Sequence, residues 1–153
     1  MKKFSNRIDH FVWICRPENL KSHVQRLSQL FRVEFLGPWE HDFGGGDVKV
    51  CVSWEGGLEL IAPLSEESAM GRILARKGEG PYALVFAVDD LDESIAHAKS
   101  LGHAPGDVME TPLDRTPWAH KLGRIREAAV GEMLGTVLVL GEVDYSEGVI
   151  EIV

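Results

Sequence analysis

The chain is predicted to be an α+β protein built from two βαβββ modules. Three observations predict it. A strand followed by a helix occurs twice, first as IDHFVWI (residues 8–14) and again as YALVFAV (residues 82–88). The segment LELIA (58–62) is echoed by VIEIV (149–153). Glycine and proline punctuate both halves, and a repeated supersecondary unit constrains a fold more than any single motif does.

Taken in order, the first strand is Ile8–Cys15, an apolar run with His10 embedded. After Pro17, the residues Leu20, Val24, Leu27 and Phe31 recur at helical spacing and predict an amphipathic helix over 18–31. Strands follow at Val33–Leu36, Val48–Val52 and Leu58–Ile61, separated by breaks at Gly44–Gly46 and Gly56–Gly57. A short helix over Glu66–Arg76 is stopped by Gly78, Gly80 and Pro81. The second half restarts with Ala83–Val88, and Asp89-Asp90 then cap a helix that runs to Leu101 with Gly102 as its stop. Its later strands are Ala128–Met133, Thr136–Leu140 and Val149–Val153, and residues 106–124 read as a long irregular loop. One domain, 1–153, is expected, with modules 6–64 and 81–153 joined by the helical segment 65–80.

Composition bounds the partners. The 153 residues are 44% hydrophobic and 26% charged, ordinary values for a globular domain. The net charge of −8 and the absence of a Lys/Arg cluster argue against nucleic acid and anionic membranes. No run is long enough to cross a bilayer, and the N-terminus lacks the apolar core of a signal peptide. Two lone cysteines, Cys15 and Cys51, sit in apolar runs without zinc-type spacing, which suits inert packing and a reducing, cytoplasmic setting.

His10, Glu59 and Glu151 are the candidate site. Each interrupts an apolar strand, and a charged group in a core strand must be paired or must coordinate something. Glu59 alternates with Leu58 and Leu60, and Glu151 with Ile150 and Ile152, so each carboxylate points away from its apolar neighbours. Any one of them alone reads as a satisfied core histidine or a solvent-facing glutamate. Repetition at equivalent strands is what favours a joint role. One imidazole and two carboxylates suit Zn, Fe, Mn, Co or Ni as a divalent ion. His41 and His120 could add a ligand from loops, though both read as surface residues, and His23, His97 and His103 read as solvated. Trp13, Trp39, Trp54 and Trp118 could line a pocket, and core packing explains each equally well. The glycines at 44–46 lack the strand-to-helix context of a phosphate loop.

Residues 59–102, ELIAPLSEESAMGRILARKGEGPYALVFAVDDLDESIAHAKSLG, resemble the middle of a methylmalonyl-CoA epimerase, IDHFVWIC resembles that family's first strand, and GVIEIV its last. The chain thus resembles the vicinal oxygen chelate superfamily, together with glyoxalase I, extradiol dioxygenases and bleomycin-resistance proteins. The resemblance implies a cupped mixed sheet around a central site, with metal ligands at His10, Glu59 and Glu151, Ala83 at the third-ligand position, and Glu59 or Glu151 acting as a proton base. It places the epimerases' acidic catalytic base near Lys49. It also implies a homodimer.

The expected function is therefore a glyoxalase-like, metal-dependent isomerase or lyase acting on a small carbonyl, carboxylate or CoA-thioester substrate. The alternative is a metal-free small-molecule-binding protein of the drug-sequestration type. A third reading joins the three residues in a hydrogen-bonded network without metal. Ala83 favours the second reading, whereas buried carboxylates without a cation disfavour it.

Overall fold

The computed structural model describes residues 2, 3 and 5–150, the first two by backbone alone. The chain divides into two compact units, Val12–Tyr82 and Met1–Phe11 with Ala83–Val153. Of its two cuts, Phe11/Val12 and Tyr82/Ala83, the first falls inside a strand. That strand, β2 (Arg7–Ile14), begins beside the later half of the chain, where the Asn6 N–H donates to the Ala87 carbonyl, and the residue after it, Cys15, donates to the Ile61 carbonyl. β1 (Lys2–Lys3), not expected from the sequence, pairs antiparallel with the end of the last strand.

In the Val12–Tyr82 unit, α1 (Pro17–Phe31) starts with Pro17 at its first turn, where no N–H is needed, and ends on Arg32 in the left-handed conformation. Strands β3 (Leu36–Asp42), β4 (Asp47–Ser53) and β5 (Leu58–Pro63) follow, then α2 (Ala69–Lys77). β3 pairs with β4, β4 with β5, and β5 neighbours β2. The strand expected at Val33–Leu36 begins only at Leu36, because the pairing partners on β4 start there with Val52. Alternation sorts the faces. Cys51, Leu60 and Ala62 join Cys15 and Leu20 in a core cluster with Val24 and Leu27 of α1. Glu59 stands opposite Val52, so it lies on the face turned away from α1, with Val50 and Val48 further along β4.

α2 begins later than expected. Ser68 caps it by accepting from the Gly71 N–H, and its C-cap is Gly78 at φ 75°. Gly46, just before β4, leaves room for α2: a Cβ there would collide with the Ser68 Cβ.

In the other unit, β6 (Gly80–Ala87) leads to α3 (Leu91–Ser100), capped by the Asp90 carboxylate at the Glu93 N–H, as expected. β7 (Met109–Glu110), a 3₁₀ turn (Leu113–Arg115), β8 (Leu122–Met133) and β9 (Thr136–Tyr145) complete it. The stretch 106–124 is therefore not one irregular loop, and β8 starts six residues before the expected strand at Ala128. β9 pairs parallel with β6 and antiparallel with β8, which makes the sheet mixed. Among the described residues the last strand of the second half is β9, which runs on to Tyr145 because β8 and β1 both pair that far. Val149 and Ile150, expected at the start of a strand, form a bend, and the rest of that expected strand, including Glu151, lies outside the described residues. Among the described residues no helix is long and apolar enough to cross a membrane.

Candidate functional site

In the second unit, side chains of β6, β8 and β9 share one sheet face. Glu127 of β8 stands opposite Gly141 of β9, which stands beside Ala87 of β6. Alternation puts Ile125, Ala129, Val139, Val143 and Tyr145 on that same face, along with Ala83 and Val85. Gly141 keeps the approach open. A Cβ there would lie 2.6 Å from Val85 Cγ1 and 3.8 Å from Glu127 Cγ.

His10 is almost fully buried, with 2% of its side chain exposed, and two carboxylates flank its ring. Nδ1 lies 2.8 Å from Asp9 Oδ1, and Nε2 lies 3.6 Å from Glu127 Oε1. The Tyr145 hydroxyl donates to Asp9, 2.8 Å from Oδ1 and 3.0 Å from Oδ2. Burial, and after it the negative charge of Asp9, pushes the Tyr145 phenol far above its ordinary value, so this hydroxyl remains a donor. The result is a buried chain Tyr145–Asp9–His10–Glu127, in which only Glu127 keeps appreciable side-chain exposure, 16%.

This chain absorbs one residue that the sequence singled out and adds three that it did not. Asp9 adjoins His10 in the IDH triplet, and its acidity inside an apolar strand was a usable signal. Glu127 and Tyr145 carried none, because their convergence on His10 depends on strand pairing.

The other candidates fall elsewhere. Glu59 is half-buried on β5 in the Val12–Tyr82 unit. Ala83 is 3% exposed, so the third-ligand position expected from the resemblance holds a buried methyl group. Lys49 lies opposite Ala62, hence on the α1 side of β4, and its ammonium reaches Glu40 at 3.8 Å. Its neighbours Val48 and Val50 occupy the Glu59 face, so no carboxylate stands at this part of β4.

His41 stacks on Trp39 with ring centroids 4.5 Å apart, and His120, His97 and His103 are exposed. His23 departs from the expectation of a solvated side chain. It is half-buried and lies 3.4 Å from Glu79, a carboxylate that also accepts from the Arg16 N–H and Asn19. Trp54 and Trp118 are buried in the core. Both cysteines are free and buried, with burial pushing Cys15 up to about 12 and Cys51 to about 11, as befits inert packing thiols.

The donor set can be tested against a metal ion. His10 has the support that a ligating histidine commonly has, a carboxylate on Nδ1 that leaves Nε2 available. Glu127 Oε1 is a second donor facing it. Among the described residues, however, no group of three or more His, Cys, Asp or Glu side chains is placed to hold an ion. His10 and Glu127 are thus two facing donors, and Glu151, the further ligand expected from the resemblance, lies outside the described residues.

No protein-family model matches the chain, and neither does any curated protein. Solved structures do match. A variant of the Streptomyces coelicolor methylmalonyl-CoA epimerase, in complex with 2-nitronate-propionyl-CoA, superposes with a TM-score of 0.68 at 21% identity, covering 95% of this chain and 98% of that one. The methylmalonyl-CoA epimerase from Mycobacterium tuberculosis gives 0.67 at 18% identity, covering 93% and 91%. A hypothetical protein from Bacillus halodurans gives 0.66 at 22%, covering 91% and 95%. Such identities speak for architecture alone, and on that architecture the chain has the vicinal oxygen chelate fold of the methylmalonyl-CoA epimerases.

Proposed function

We propose that the protein is a glyoxalase-like isomerase that moves a proton next to the carbonyl of a small carbonyl compound, carboxylate or CoA thioester. The observation that carries this reading is the facing pair of His10 Nε2 and Glu127 Oε1, 3.6 Å apart, with His10 held from behind by Asp9. The similarity to epimerases crystallised with CoA thioesters supports the substrate class.

In this reading Glu127, the accessible end of the chain, is the base. It removes the proton from the carbon beside the carbonyl. The C–H bond breaks, an O–H bond forms on Glu127, and the electron pair passes into an enolate. Nε2 of His10 can take that proton from Glu127, leaving an imidazolium whose charge Asp9 balances; the product forms when the enolate takes up a proton at a different place from the one it left, from Glu127 at the neighbouring carbon or from solvent on the opposite face, in which case Glu127 releases its proton to solvent. A lyase variant differs only in the bond that breaks after the enolate forms.

The ligand set His10, Glu59 and Glu151 with a divalent ion is a separate proposal. Metal content of protein purified without a histidine tag and soaked in Zn²⁺, Mn²⁺ or Ni²⁺ tests it, and Glu151→Gln should lower that content if Glu151 is a ligand. The proton transfer itself calls only on His10 and Glu127, with Asp9 behind the ring.

The experiment for function is α-proton exchange in D₂O, followed by NMR over a panel of 2-oxo compounds, hemithioacetals and acyl-CoA thioesters. At least one substrate should exchange, and Glu127→Gln should slow it by about 10²–10⁴-fold, the usual weight of a general base. Binding without exchange across the panel overturns the isomerase. It favours instead a metal-free small-molecule-binding protein, the reading that the buried methyl of Ala83 supports.

A further inference from the structure

A histidine can carry its single neutral-state proton on either ring nitrogen, and only the bare nitrogen can accept one. Which nitrogen is bare decides whether His10 can receive a proton from Glu127. As a carboxylate, Asp9 only accepts, so a ring nitrogen 2.8 Å from it must donate. The Tyr145 hydroxyl occupies both Asp9 oxygens from a second direction, at 2.8 and 3.0 Å, which leaves the carboxylate little freedom to turn. Asp9, His10 and Tyr145 are each 3% exposed or less, so water does not compete for these bonds.

We propose that Asp9 and Tyr145 are positioning residues that hold His10 in the Nδ1–H form, with Nε2 bare and directed at Glu127. This rests on the proton-transfer reading of His10, and it extends that reading to two residues that touch no substrate. Removing Asp9 has a defined consequence. Glu127 faces the ring on the Nε2 side, and Arg7 lies within electrostatic range of the Tyr145 hydroxyl. With the acceptor on Nδ1 gone, the ring proton should migrate to Nε2 and be donated to Glu127.

The test is a long-range ¹H–¹⁵N spectrum of histidine-labelled full-length protein, which reads the tautomer without substrate. Wild type should show His10 in the Nδ1–H form. Asp9→Ala should show predominantly Nε2–H, and Tyr145→Phe a mixture of the two, with the signals of exposed His97 and His103 unmoved as a check on folding. An Nε2–H form in wild type, or an Nδ1–H form that survives Asp9→Ala, overturns the proposal. An unchanged tautomer in Tyr145→Phe removes Tyr145 from it, and that conservative variant keeps the test decisive if Asp9→Ala does not fold. Where exchange is measurable, Asp9→Ala should lower kcat by about tenfold or more with KM unmoved. A missing activity with the Nδ1–H form intact defeats the functional reading alone, and the converse pattern defeats only the positioning role.

Discussion

The two halves of the chain share a strand order and differ in what the strands carry. In the first, β5 lies between β2 and β4, and in the second β9 lies between β6 and β8. The third strand of the first half presents Val48, Val50 and Val52, all buried, on the face that bears Glu59. The third strand of the second half presents Ile125, Glu127 and Ala129 on the face that bears Tyr145. The opening strands are reversed in character: β2 carries Asp9 and His10, whereas β6 has Ala83. Repetition of the backbone therefore does not repeat the chemistry. One module's third strand packs with valines and the other's carries an acid, so a ligand or base inferred from symmetry must be checked strand by strand.

Five substitutions break or sharpen this contrast, from the largest expected effect to the smallest. Glu127→Gln should cost about 10²–10⁴-fold in α-proton exchange, whereas Glu59→Gln should cost far less; an equal loss from both would show that the first half shares the base. Ala83→His would restore an imidazole on the Glu127 face. It should add tightly held Ni²⁺ or Zn²⁺, read by calorimetry, while overpacking a buried site costs about 1–3 kcal/mol in urea unfolding. Gly141→Ala forces a methyl against Val85 and should cost a similar or smaller amount, about 1–2 kcal/mol, because Val85 is itself buried and cannot turn away.

The smallest effect is at Glu79. The Arg16 N–H, and after it Asn19 and His23, holds its carboxyl below the usual range against a weaker opposing effect of burial. A depressed carboxyl stabilises the fold above its unfolded pKa, about 4.3, and loses that contribution as pH falls through the lower folded value. The Tm gap between wild type and Glu79→Gln should therefore be present at pH 7 and close below about pH 4; a gap unchanged at pH 3 would refute the account.

One residue of the site, His10, and the helix caps were readable at the level of single residues. His10 was conspicuous because an imidazole in FVWIC-type surroundings needs a partner, and Asp90 was conspicuous as a cap before an amphipathic stretch. The ends of strands were less readable. VIEIV has the alternation of LELIA, so period alone named it the closing strand, yet the described chain closes on β9, whose GEVDY ending looks polar in sequence. Glu142 in that ending is buried because it accepts from the Leu91 N–H at the start of α3 and pairs with Arg126, a partner 16 residues away. Polar residues of this kind mislead a reading based on hydrophobicity, since their burial is compensated by partners that only the fold supplies.

By itself the sequence determined the α+β class, the doubled module, the helices with their caps, and His10 as a residue requiring a partner. These follow from periodicity, turn chemistry and the cost of burying charge, all of which act over a few neighbouring residues. Only the tertiary structure decided which partner His10 has on each nitrogen. Register did that, by setting Glu127 opposite Gly141 and carrying β9 as far as Tyr145, and register is a property of paired strands that no single strand contains.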